Sequence, residues 1–170
     1  MGTGSLFAHE KGQGFTLDLR ILRGEDLVWS ATQSLLRVGV KETSGAPYGS
    51  QIQAEAPLSC HTEFSAPADI GRRYGAVSGD RNPIHMSALS ARLFGFKRAI
   101  AHGMWTKARA LSYLLPADPL ERAFATVEFK TPLLLPGRAA LWTERSDHGA
   151  QFEVRDKKGV RPHLRGQLSY

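Results

Sequence analysis

The sequence holds a single cysteine, Cys60, among its 170 residues. An internal disulfide is therefore impossible, and no cluster of thiolates can hold a metal. One cysteine fits a reducing compartment, and a cytoplasmic location is expected. No apolar run approaches the ~20 residues that a membrane-spanning helix needs, so no membrane partner is expected. Residues 1–14 are glycine-rich and polar, without the apolar stretch of a secretory signal. Internal repeats, low-complexity tracts, zinc-finger spacings and RNP-like aromatic motifs are missing too. The net charge is +6, but the basic residues are scattered. Their densest run, "RDKKGVRPHLR" (Arg155 to Arg165), reads as a hairpin with a solvated turn. A nucleic-acid partner is supported by charge alone, whereas an anionic small molecule would need only a few of these groups.

What is present has clear periodicity. In "FTLDLRIL" (Phe15 to Leu22), Phe15, Leu17, Leu19 and Ile21 alternate with Thr16, Asp18 and Arg20. That is a strand pattern. "RGED" makes a turn into a second strand, Leu27 to Val38, and the two form a hairpin. Residues 39–57 read as a linker. A short strand is expected over 58–64 and a helix over 66–77, with Pro67 in its first turn. Ser87 can cap a short helix that Gly95 ends. A long helix is expected through "RAIAHGMWTKARALSYLLP", with Met104, Ala108, Leu111 and Leu115 as its apolar stripe. Strands follow over 123–130, 139–145, 151–156 and 163–170. Helices followed by a run of strands indicate an α+β fold, one long helix against an antiparallel sheet.

The chemistry concentrates in "VSGDRNPIHMS" (Val77 to Ser87). Ser-Gly and Asn-Pro are turn chemistry. Asp80 and His85 could form a general acid/base pair, because histidine starts near the working pH and a carboxylate can hold its tautomer. Equally, a turn aspartate could cap a helix and the histidine could lie on the surface. Downstream, "IAHGM" (Ile100 to Met104) opens the long helix. Gly103 would let a ligand approach the free N–H groups of a helix N-terminus, which suits an oxygen gaining negative charge. The glycine could instead serve close packing, and His102 could be a packed core histidine.

Taken together, "SGDRNPIH", a following "GF" and then "IAHGM" resemble the MaoC-type (R)-specific enoyl-CoA hydratase family, also called hydratase 2. The match runs from about Ala66 to Trp105, and "FKTPLLLPG" is similar to the family's C-terminal sheet. The resemblance implies a hot-dog fold, a long central helix wrapped by an antiparallel sheet, over residues 58–170. It implies that Asp80 and His85 activate one water for addition to C3 of a trans-2-enoyl thioester. Asn82 would orient the pair, and the Gly103 N–H would stabilise the enolate-like oxygen. Ser78 and Gly79, which shape the turn, and Ile100 and His102 are the substrate-binding candidates. No metal and no cofactor are implied, since the CoA or acyl-carrier-protein thioester is the substrate. A homodimer is the expected assembly, and residues 1–57 are expected to be a hairpin and linker left from a preceding hot-dog repeat.

One position departs from the family pattern. Relatives often carry an acid two places after the histidine, where this chain has Ser87. Altered loop support, rather than loss of chemistry, is the expected consequence, because Asp80 and His85 are both retained. The competing reading is an acyl-CoA-binding hot dog that has lost turnover. A thioesterase and a nucleic-acid module fit the loop less well. Arg72, Arg73, Lys97, Arg98, Lys107 and Arg109 lie near the motifs and could form a basic rim for CoA phosphates.

Overall fold

The expected N-terminal hairpin is present, and two further strands join it. The computed structural model describes residues 2–50, 52 and 57–170. It divides into two compact units, Met1–Gln51 and Ile52–Tyr170. In the first, β1 (Gly2–His9), β2 (Gly12–Arg23), β3 (Asp26–Val38) and β4 (Ala46–Pro47) form a sheet in the order β3-β2-β1-β4. The glycine content of the N-terminus has a packing use. Phe7 sits opposite Gly14 in the β1–β2 ladder, and a Cβ on Gly14 would lie 2.0 Å from the Phe7 ring. The missing side chain leaves room for the aromatic. The segment read as linker is tied to this sheet in part, because the Gln13 amide oxygen accepts the Ser44 N–H at 2.8 Å. Residues 51 and 53–56 of that linker lie outside the described residues.

The second unit carries β5 (Ser59–Ala66), α1 (Ile70–Ser78), α2 (Pro83–Met86), α3 (Ala88–Arg92), α4 (Gly103–Leu114), β6 (Phe124–Phe129), β7 (Gly137–Ser146), β8 (Gly149–Asp156) and β9 (Pro162–Ser169). Its five strands are ordered β5-β7-β8-β9-β6, all pairs antiparallel. Strand alternation chooses the face that meets α4: Leu141, Phe152, Val154, Leu164 and Leu168 are buried with Ala110 and Leu114 of the helix. The turn before β9 is closed by Asp156, whose carboxylate accepts the N–H groups of Val160 (3.0 Å) and Arg161 (3.1 Å). Those donors hold its carboxyl below the usual carboxylate range. Among the described residues, no helix is long and apolar enough to cross a membrane.

Three expectations need correction. The central helix is 12 residues long and starts at Gly103. Residues 99–101 are extended instead, because Ala101 N–H donates to Leu133 (2.8 Å), Leu135 N–H donates to Ala99 (2.8 Å) and Ile100 N–H donates to Ile84 (3.1 Å). The buried face of α4 is Thr106, Ala110 and Leu114, whereas Met104, Ala108 and Leu115 of the expected stripe are exposed. Finally, α1 starts at Ile70, because β5 continues through Ala66, which pairs with Gly137. Ser87 caps α3 as expected, accepting the Ser90 N–H at 3.1 Å.

Candidate active site

The Asp–His loop is partly helical. Asn82 caps α2 by accepting the Ile84 N–H at 3.3 Å, and Pro83 follows at the first helical position. Proline's fixed φ and missing N–H suit that place. The single turn lifts His85 to the inner side, where it is 8% exposed. Asp80 stays at the rim, its side chain 54% exposed. Its Oδ1 accepts the Asn82 N–H at 3.1 Å, and its own N–H donates to Ser78 Oγ at 3.2 Å. Gly79 turns the chain at φ 77°. A side chain there would be strained.

The tautomer of His85 follows from its partner. Nδ1 lies 2.8 Å from the carbonyl oxygen of Ile100. A carbonyl only accepts, so Nδ1 carries the proton and Nε2 keeps its lone pair. Burial pushes the imidazole's pKa below the ordinary histidine value. The Ile100 hydrogen bond opposes that shift, His102 adds to it, and Asp80 opposes it. A neutral imidazole with a free Nε2 is a general base at neutral pH. The extended segment 99–101 therefore has a chemical use, since its anchored backbone supplies the carbonyl that orients the histidine.

His85 and Gly103 border a cleft of about 370 Å³. Ile100, Ala101, Met104, Thr106, Phe129 to Leu133 and His163 complete its lining. Gly103 is the first residue of α4, where backbone N–H groups lack intrahelical acceptors. A Cβ there would lie 2.8 Å from the Phe129 ring. His163 is fixed like His85: Nδ1 donates to the Thr131 carbonyl at 3.1 Å, and burial lowers its pKa.

Of the residues named from sequence, His85, Gly103 and Ile100 line the cleft. Asp80, Asn82, Ser78 and Gly79 form the adjoining loop, and His102 lies behind, 3% exposed and stacked on the His85 ring with centroids 3.7 Å apart. Asp80, His85 and His102 bring ligand-type atoms within 4.8 Å of one another. Two of those nitrogens, His85 Nδ1 and His102 Nε2, face backbone carbonyls and must carry protons. Each histidine therefore keeps its lone pair on the other nitrogen, His85 Nε2 and His102 Nδ1. Of the basic residues near the motifs, Arg72 donates to the Met86 carbonyl at 3.3 Å, and Arg109 lies over the Tyr113 ring at 4.8 Å. Burial lowers the pKa of Lys107.

Two contributors were missed from sequence. Gly71 and Gly75 sit on the buried side of α1, and a Cβ would lie 1.9 Å from the His85 carbonyl oxygen or 2.8 Å from that of Asp80. Their spacing of four in "IGRRYG" puts both on one helix face, and that was the available signal.

Comparison with known proteins supports the same conclusion. Residues 44–162 match the family described as MaoC like domain. The chain is 34% identical over 161 residues to 3-hydroxyacyl-thioester dehydratase X of Mycobacterium tuberculosis, covering 94% of this chain and 57% of that protein. The crystal structure of HtdX from Mycobacterium tuberculosis is similar, with TM-score 0.78 and 31% identity, over 99% of this chain and 66% of that one. The unliganded R-hydratase PhaJ1 from Pseudomonas aeruginosa aligns with TM-score 0.53 and 25% identity, over 63% of this chain and 74% of that one. The chain thus spans 57% of the dehydratase's length and 66% of the HtdX structure. By this match and by the helix-on-sheet architecture of its second unit, the chain belongs to the MaoC-like family and has its hot-dog fold.

Proposed function

We propose that this chain hydrates trans-2-enoyl thioesters to (R)-3-hydroxyacyl thioesters, or runs the reverse dehydration. The observation that carries this reading is the fixed tautomer of His85, a buried imidazole with a bare Nε2 beside a cleft and a helix N-terminus. In hydration, a water held between Asp80 and His85 gives a proton to Nε2 while its oxygen bonds to C3. The C2–C3 π electrons move toward the thioester carbonyl, and charge gathers on its oxygen. The N–H of Gly103 meets that charge. C2 then takes that proton back from His85 Nε2, the C=O double bond re-forms, and the imidazole is neutral again. Asn82 holds the loop through its cap and its N–H to Asp80. Dehydration uses the same groups in reverse order. The thioester of CoA or acyl-carrier protein is the substrate, and the reading calls on no metal or redox group. Names of relatives, a 3-hydroxyacyl-thioester dehydratase and an R-hydratase, support the reaction class.

Two assembly features belong to the same reading. A homodimer would cover exposed apolar side chains such as Met104, Leu115 and Phe124. A stable monomer in light scattering at micromolar concentration would rule it out. The N-terminal sheet is read as the tail of a preceding hot-dog repeat, supported by the exposure of Ile21, Leu22 and Leu27.

The test is loss of enoyl-thioester absorbance with crotonyl-CoA and longer enoyl-CoAs, with the chirality of the product determined. Asp80→Asn and His85→Gln should each lower turnover by roughly 10²-fold or more. Binding of enoyl-CoA without turnover by the unmodified chain would return the protein to the acyl-CoA-binding reading.

A further inference from the structure

His102 was a substrate-binding candidate, yet it is 3% exposed and absent from the cleft wall. Its contacts point elsewhere. Nε2 lies 2.9 Å from the carbonyl oxygen of Asp80, so that nitrogen carries the proton and donates it. Asp80 Oδ2 is 3.7 Å from the same nitrogen, too far for a hydrogen bond. One ring face stacks on His85, centroids 3.7 Å apart and planes 24° apart. The Tyr74 ring of α1 packs against it at 4.9 Å. Nδ1 is buried with no hydrogen-bond partner among the described residues. A phenylalanine would fill this space without burying a bare nitrogen, so packing alone does not explain the imidazole. What histidine adds is one donor for Asp80 together with one flat face for His85.

We propose that His102 is a positioning residue that sets the separation of Asp80 and His85. Its N–H holds the Asp80 main chain, and its ring holds the plane of His85. His102 is the N-cap residue of α4, so the element that presents Gly103 also carries this brace. The water-activating pair and the oxygen-binding N–H are thereby referred to one rigid helix end. The inference rests on the hydration reading above.

The test uses the full chain with crotonyl-CoA. His102→Phe keeps a ring but loses the donor. His102→Gln keeps a donor at nearly the same place but loses the ring. We expect His102→Phe to lower kcat by about 10²-fold with KM within about twofold, as a displacement near 1 Å would. His102→Gln should recover about tenfold of that loss. Adding Asp80→Asn to His102→Phe should cost little beyond Asp80→Asn alone, because both act through one carboxylate. Normal kcat in folded His102→Phe, or losses that multiply in the double variant, would overturn the inference. So would loss of the fold in both single variants, which would mark a purely structural histidine. An Asp80→Asn variant of full activity would instead overturn the hydration reading beneath it.

Discussion

Replacing Gly71 with alanine should damage catalysis from a residue that never meets the cleft. The new Cβ would lie 1.9 Å from the His85 carbonyl oxygen and 2.9 Å from its carbon. Real Cβ atoms essentially never come within 3.0 Å, so helix α1 and the His85 backbone must part by roughly 1 Å. The neighbour is backbone, which cannot rotate away as a side-chain tip can. His85 Nδ1 is 2.8 Å from Ile100 O. A retreat of about 1 Å takes that contact beyond the ~3.2 Å limit of an N–H···O bond. The tautomer lock then fails, and Nε2 loses its place. Misplacement on this scale costs about 10²-fold in rate. Overpacking of this kind costs about 1–3 kcal/mol of stability. Initial rates with crotonyl-CoA and urea unfolding would measure the two effects separately. Gly95→Ala is the control. Gly95 has φ 83° but nothing within 4 Å of an added Cβ, so it should lose stability through strain without the rate penalty. Wild-type kcat in a folded Gly71→Ala variant would refute the claim that α1 sets the position of His85.

Further outcomes follow from the same geometry. Because burial holds His85 below the ordinary histidine value near 6.5, the acid limb of kcat/KM should fall below pH 6.5. A limb centred above that value would contradict a buried neutral base. Stability should also fall as pH drops below about 6.5: there the unfolded chain binds protons that buried His85 and His163 resist, so stability rises with pH. His163→Gln should flatten that slope in pH-dependent urea titrations, and an unchanged slope would remove His163 as a cause. Gly103→Ala should lower kcat/KM by about tenfold or more with little change in stability, because its Cβ would meet the half-exposed Phe129 ring at 2.8 Å. Phe129→Ala in the same chain should restore part of the rate, and failure to do so would place the damage in the backbone N–H instead.

Much of the site was legible because it is local. Ser87 three residues before Ser90 and Gly95 at a helix end are capping signals that act within one turn, and each has its expected neighbour or conformation. Asn82-Pro83, read as a turn, opens helix α2 instead. Asp80 and His85 were visible as a titratable pair on a stiff loop. His102 was harder, since a histidine before a helical glycine can be packed, bound or bracing with the same sequence around it. Gly71 and Gly75 gain their meaning only where the backbone of His85 and Asp80 passes close to them.

Strands β2, β3 and the five of the second unit could be located from the sequence, whereas β1 and β4 could not. Alternation marks β2 and β6, because a residue's side in a strand depends only on its parity. The polar turns, the caps and the types of the titratable groups follow from the residues alone. The start of α4, its buried face and the tautomer of His85 do not. Helical periodicity in "MWTKARALSYLL" permits more than one apolar stripe, and contact with β8 and β9 selected Thr106, Ala110 and Leu114. Residues 99–101 could have extended the helix, but Leu133 and Leu135, more than thirty positions away, offered backbone partners that drew them out straight. That straightening brings the Ile100 carbonyl to His85. Local preference is worth a few tenths of a kcal/mol per residue. Paired backbone groups and buried area contribute more, and only the folded chain brings them together.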